Sequence, residues 1–201
     1  MAAAAMTSTN VKAKGSTIRS TLAYVEEVGG AELLERVLAR LTPAVRGLVR
    51  GAQATDELPF NVAVALWTAA ESELAPLDGE WMEKAGAYSI QSTGVQLYSG
   101  ILRKSTPLEF LTQGISLFRL YYHPGDMQVV EHEETRAVLR LLGFDHGTNL
   151  FCRRQTGGLQ RALALAGGGA PVVRHVRCVI EGDAFCEWEM RWSELAPEAP
   201  R

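Results

Sequence analysis

The side chains with most chemistry to offer are three cysteines and a nearby histidine: Cys152, His175, Cys178 and Cys186. In "HVRCVIEGDAFCEW", residues 175–188, the histidine precedes two thiols that flank a Gly-Asp turn. Thiolate and imidazole are the ligands zinc prefers, and a structural zinc site takes four of them. Whether the thiols meet depends on hairpin register. With Glu181-Gly182-Asp183 as a three-residue loop, Cys178 faces Cys186 on the apolar side, with Cβ atoms ~4.5–5.5 Å apart. A two-residue Gly-Asp loop would put them on opposite faces. His175 and Cys178 also point apart in a regular strand, so joint ligation needs a bulge or a twisted strand end. By residue type alone, buried free thiols are the other reading, because cysteine is among the most often buried side chains. A disulfide framework is disfavoured by the odd count and by the cytoplasmic location expected below.

The elements that must position these groups read as α+β: an N-terminal helical lobe, then a mostly antiparallel sheet of about four strands with one inserted helix. Residues 1–15 are small and polar and read as a flexible tail, 16–193 as one ligand-binding-type domain, and 194–201 as a second tail. Ile18, Leu22, Val25 and Val28 recur at helical spacing, Gly29-Gly30 stops that helix, and Leu33 to Leu41 form another before Thr42-Pro43 interrupts it. "PFNVAVALWTAAESEL" is a buried helix, and "EWMEKAGAYSIQSTGVQLYSGIL" a less regular one. "TPLEFLTQGISLFRLYYHPGD" has Thr106 as cap and Pro107 at its first position. "MQVVEHEETRAVLRLLG" reads as two strands around a Glu133-Glu134 turn, and "NLFCRRQTGGLQRALALAG" as the inserted helix. From Cys186 onward the alternation places Trp188, Met190 and Trp192 on a buried face and Glu187, Glu189 and Arg191 in water.

A formal net charge of −3 without a basic stripe speaks against nucleic acid as partner. No apolar run suits a secretory signal or a membrane span, so a cytoplasmic protein without membrane contact is expected. The chain has no Walker loop, dinucleotide fingerprint or Gly-x-Ser-x-Gly elbow. His123 and His146 sit beside Gly or Pro turns and read as solvated or capping residues, and His132 as part of a charged hairpin turn. Trp67, Phe110, Phe118, Tyr121 and Tyr122 are core by default; if any group lines a pocket for a small apolar molecule, it is this one.

The run "VRCVIEGDAFCEWEMRW" resembles the C-terminal hairpin of the vinyl-reductase-like small-molecule-binding domain, a relative of the haem nitric-oxide-binding and Golgi transport-particle folds. The resemblance spans roughly residues 15–193, although only the last forty or so carry matching motifs. Over its length the chain, including "KGSTIRSTLAYVEEVGG", also looks like an uncharacterised family abundant in myxobacteria, in keeping with an arginine-rich bacterial composition. In sensor domains of phenol- and toluene-responsive activators, the domain's zinc is held by a Cys-Glu-Cys-Cys set. Cys152, His175, Cys178 and Cys186 stand at the same intervals, with histidine for glutamate. The resemblance implies a structural zinc and a non-enzymatic sensor or regulatory domain for a small apolar effector, acting through a homodimer or a protein partner. It equally allows an interaction scaffold without small-molecule ligand. An enzyme acting on a tetrapyrrole vinyl group ranks last, since nothing supplies a hydride cofactor site. The haem sensors' Tyr-x-Ser-x-Arg triplet is missing, so no haem is expected.

Overall fold

The computed structural model describes residues 11–94 and 106–194, with the backbone alone at 93–94, 113–117 and 194. It begins with strand β1 (Lys12–Lys14), helix α1 (Gly15–Ala39), helix α2 (Pro43–Gly51), strand β2 (Glu57–Pro59) and helix α3 (Phe60–Leu74). Helix α4 (Trp81–Ser89) runs into a π turn (Ile90–Gly94), and α5 (Pro107–Tyr121) is followed by β3 (Tyr122–His123). The rest is β4 (Asp126–Glu133), β5 (Arg136–Leu142), α6 (Asn149–Leu165), β6 (Gly168–Arg177), a 3-10 turn (Val179–Glu181) and β7 (Cys186–Glu194). The four larger strands form one antiparallel sheet in the order β4-β5-β7-β6. This is the α+β architecture expected, with α6 inserted before the closing ribbon. Among the described residues no helix is long and apolar enough to cross a membrane.

Two sequence readings are corrected at the start of the chain. The flexible tail assigned to 1–15 does not reach Lys14, because Lys12–Lys14 is the middle strand of a small sheet, between β2 and β3. Val11 and Ala13 bury their side chains while the neighbours pair the backbone, and a run this short carries no periodicity to betray it. The tails at 1–10 and 195–201, and the helical reading of 95–103, lie outside the described residues. Helix α1 does end before Thr42-Pro43, and the same pair starts the next helix: Thr42 Oγ1 accepts the Val45 N–H at 3.4 Å, and proline opens α2. The stop read at Gly29-Gly30 appears as a kink within α1, where Gly30 adopts φ +67°. Two faces separated by that bend, Ile18 to Val25 and Leu33 to Leu38, reach the same core.

Helix α4 lies against α6 at a distance only glycine permits. A Cβ on Gly157 would overlap the Glu83 carbonyl, and one on Gly86 the Arg154 carbonyl. Arg153 locks the contact from the side, its guanidinium forking onto both Glu83 oxygens at 2.8 Å and reaching the Gly79 carbonyl. Gly158, by contrast, has ordinary room, the nearest atom to an added Cβ being 3.5 Å away. Gly158→Ala is therefore expected to stabilise the fold by ~0.5–1 kcal/mol through helix propensity, read as a higher denaturation midpoint.

On the sheet, β7 buries Cys186, Trp188, Met190 and Trp192 as the alternation predicts. Glu187 departs from it. Rather than standing in water it is only 8% exposed, gripped by Arg140 at 2.6 and 2.9 Å and by Arg177 at 3.4 Å. Both guanidiniums also cover the Phe185 ring, at 4.0 and 5.7 Å. Alternation distinguishes the two faces of a strand; it does not register a lid of long side chains over the outer one.

Candidate metal centre

The β6–β7 connection is wider than a three-residue loop. Strand pairing ends at Arg177 opposite Glu187, and the 3-10 turn carries the chain back. The Asp183 carboxylate accepts the Cys178 N–H at 2.8 Å, and the Asp183 N–H bonds the Cys178 carbonyl at 3.1 Å. This folded loop holds Cys178 just after β6 and leaves Cys186 as the first residue of β7. Cys152 comes from the first turn of α6, whose cap Thr148 accepts the Leu150 N–H at 3.3 Å.

These three thiols meet, and the fourth group is His146 from the loop before α6. The ligating atoms of His146, Cys152, Cys178 and Cys186 all lie within 4.8 Å of one another, and all four residues are buried. Cys152 Sγ stands 3.7 Å from Cys186 Sγ and 4.0 Å from Cys178 Sγ, and the thiols are free rather than bridged. A tetrahedron with Zn–S bonds of ~2.3 Å has S···S edges of roughly 3.8 Å, so the spacing suits one cation. His146 Nε2 is 3.1 Å from Cys186 Sγ and 3.4 Å from Cys152 Sγ.

The other ring nitrogen decides the tautomer. His146 Nδ1 is 2.8 Å from the Thr148 carbonyl, which can only accept, so Nδ1 carries the proton and the Nε2 lone pair faces the sulfurs. A backbone carbonyl holding the far N–H is the usual outer support of a metal-binding imidazole. Phe151 stacks on the same ring, with centroids 4.9 Å apart. In the metal-free cluster the thiols divide their protons unequally. Cys186 is pushed down, first by the hydrogen bond from Cys152, then by His146 and His175, whereas Cys152 is pushed up by that same bond and by burial. Cys178 is pushed up chiefly by burial.

His175, the sequence candidate, stands beside the cluster and outside its four. Its ring lies on Trp188 at 4.7 Å, and its buried Nε2 has no hydrogen-bond partner. His146 was passed over because Gly147 next to it signals a turn. The signal that finds it is positional: it lies just before the cap of the helix whose first turn carries Cys152, so both side chains share one helix end.

The aromatic candidates pack largely on one another. Phe118 and Tyr122 have ring centroids 5.4 Å apart, and both meet Phe144 and Phe151. Phe110 is buried in the same core, and Trp67 is fully enclosed, its Nε1 donating to Thr21 Oγ1 at 3.2 Å. Of these candidates, Tyr121 and Tyr122 border a void of about 50 Å³. A wider groove of about 440 Å³ lies between α4 and α6 with a charged wall including Glu83, Lys84 and Arg161, away from these rings.

No family model matches the sequence, and no curated protein matches it. Solved structures do. The Fe(II) unliganded H-NOX protein from K. algicida superimposes with a TM-score of 0.69 at 13% identity, covering 92% of this chain and all of that one. The H-NOX protein from S. oneidensis in the Fe(II)NO ligation state gives 0.68 at 11%, covering 90% and 99%. A mutant of the T. tengcongensis H-NOX gives 0.64 at 10%, covering 92% and 100%. At such identities the likeness is one of fold, and it agrees with the wider superfamily named from the hairpin.

One expectation is overturned here. Absence of haem cannot be maintained from a missing triplet in a chain whose structural neighbours are Fe(II) proteins, one of them solved to probe haem distortion in the H-NOX family. Sequence motif and fold diverge at different rates, and the triplet was too narrow a criterion. Of the chain's four histidines, His146 faces the thiols, His175 lies on Trp188, and His123 and His132 are exposed on strands.

Proposed function

We propose that this chain is a non-enzymatic sensor or regulatory domain whose closing ribbon is pinned to α6 by a structural zinc on His146, Cys152, Cys178 and Cys186. The observation that carries the reading is the convergence of one imidazole and three sulfurs from separate elements at tetrahedral spacing. A site with four protein ligands is closed and leaves no position for substrate, so its role is to hold the fold. It joins the loop after β5, the start of α6 and both strands of the ribbon at its turn end. A shift of α6 caused by a bound effector would therefore be transmitted to the sheet, and from there to a partner protein or a second copy of the chain. The fold shared with H-NOX proteins supports a sensing role, and the H-NOX neighbours span nearly the whole chain.

The interaction scaffold of the transport-particle kind is the second reading. It is favoured by the tight packing of Phe118, Tyr122, Phe144 and Phe151, which leaves little room for a small apolar molecule among the described residues.

Metal analysis of untagged protein tests the zinc. About one equivalent is expected in the parent chain and near none in Cys178→Ser or Cys186→Ser. Full retention in either variant would exclude that sulfur from the site. Because Cys152 and Cys178 are held protonated before metal enters, zinc uptake must expel protons, and apparent affinity should fall as pH is lowered. A competition titration with a chromogenic chelator at two pH values reads that slope.

A further inference from the structure

The buried guanidinium of Arg154 has an unmet demand. Arg154 is 4% exposed on α6, and its Nη2 donates to Ser20 Oγ at 2.8 Å. Nη1 is buried without a hydrogen-bond partner. The Trp67 ring lies 5.8 Å away and offers a weak face to the charge. An arginine stays protonated in a protein, and a charge taken out of water requires a counter-charge or a full set of acceptors. Among the described residues no carboxylate forms an ion pair or hydrogen bond with it.

Arg154 also borders the void of about 50 Å³, together with Thr17, Ser89, Ile90, Tyr121 and Tyr122. Among the described residues no acidic side chain lines this space, and its wall combines a cation and hydroxyls with an apolar side chain. One water needs ~10–15 Å³ of such space, so the room takes a few water-sized groups, enough for a carboxylate headgroup and not for a whole drug-sized ligand. We propose that this cavity is an anion subsite in which Arg154 receives the carboxylate of a small organic acid. The planar fork of the guanidinium matches a carboxylate through paired hydrogen bonds, a geometry a lysine could not supply. The assignment deepens the sensor reading by giving the effector a charged end; it rests on that reading only for the role of the ligand as a signal.

The test is calorimetric titration of the full zinc-loaded chain with benzoate, acetate and the neutral isostere benzamide. Benzoate is expected to bind saturably and at least tenfold more tightly than benzamide, with acetate competing for the same site. Arg154→Met should weaken benzoate at least tenfold while folding normally, since it removes an unpaired buried charge. Arg154→Lys should fall between the two. Benzoate should also raise the melting temperature of the parent and leave that of Arg154→Met unchanged. Acetate binding without benzoate would support the carboxylate subsite and restrict its ligand to acids smaller than an aromatic one. Equal binding of benzoate and benzamide, or undiminished binding by Arg154→Met, would overturn the subsite altogether. If Arg154→Met does not fold, the parent's discrimination between acid and amide decides. The two readings fail separately: zinc without benzoate binding removes only the anion subsite, and benzoate binding without zinc removes only the metal.

Discussion

His146→Ala is expected to empty the metal site, taking zinc from about one equivalent per chain to near none, while His175→Ala keeps it. His146 alone presents a lone pair to Cys152 and Cys186, its tautomer set by the Thr148 carbonyl. Without that nitrogen, three buried sulfurs would have to hold the cation with a water as the fourth ligand, in a site that Phe151 and the sheet keep dry. Loss of a structural metal belongs to the class of changes that cost more than ~4 kcal/mol. For a chain of this size that corresponds to a fall of roughly 8–16 °C in melting temperature. His175→Ala forfeits its contact with Trp188, about 0.5–1.5 kcal/mol, and its lesser influence on the Cys186 thiol, while all four ligating atoms stay in place. Metal content and melting curves of the two variants, side by side, separate ligand from neighbour; zinc lost from His175→Ala and kept in His146→Ala would reverse the assignment.

Gly157→Ala is expected to be the most damaging single methyl group in the helical layer. The added carbon has to occupy the place of the Glu83 carbonyl, and backbone on both sides leaves nothing to rotate away. Helices α4 and α6 must part, which also draws Arg153 off the Glu83 carboxylate. Overpacking of this kind costs about 1–3 kcal/mol and occasionally more, against ~0.5–1 kcal/mol recovered in helix propensity. A net loss of about 1 kcal/mol or more in chemical denaturation is the expected result. With Gly158→Ala as its partner, the same substitution one residue along should give the opposite sign. Equal effects at both positions would mean that the close approach is not there.

How far such features could be read in advance depended on their range. Helix α5 was legible from Thr106 and Pro107 because a cap acts within one turn. The burial of Trp188, Met190 and Trp192 followed from strand alternation, itself a local rule. The small strand at Lys12–Lys14 was hidden, since what orders it is pairing with β2 and β3 far along the chain. Glu187 was misplaced for the same reason, its cover coming from Arg140 on the neighbouring strand.

At the metal centre the division is sharper. The amino-acid sequence alone determined that three thiols are available, that two flank a turn and that one starts a helix. Only the tertiary structure decided which imidazole joins them. Spacing along the chain favoured His175, but in a strand the side chain's direction is set by the pleat, and pairing with β7 lays that ring on Trp188. The short step from His146 to Cys152 hints that these two share the start of α6, but their meeting with Cys178 and Cys186 is set by packing in three dimensions that no interval between residues records.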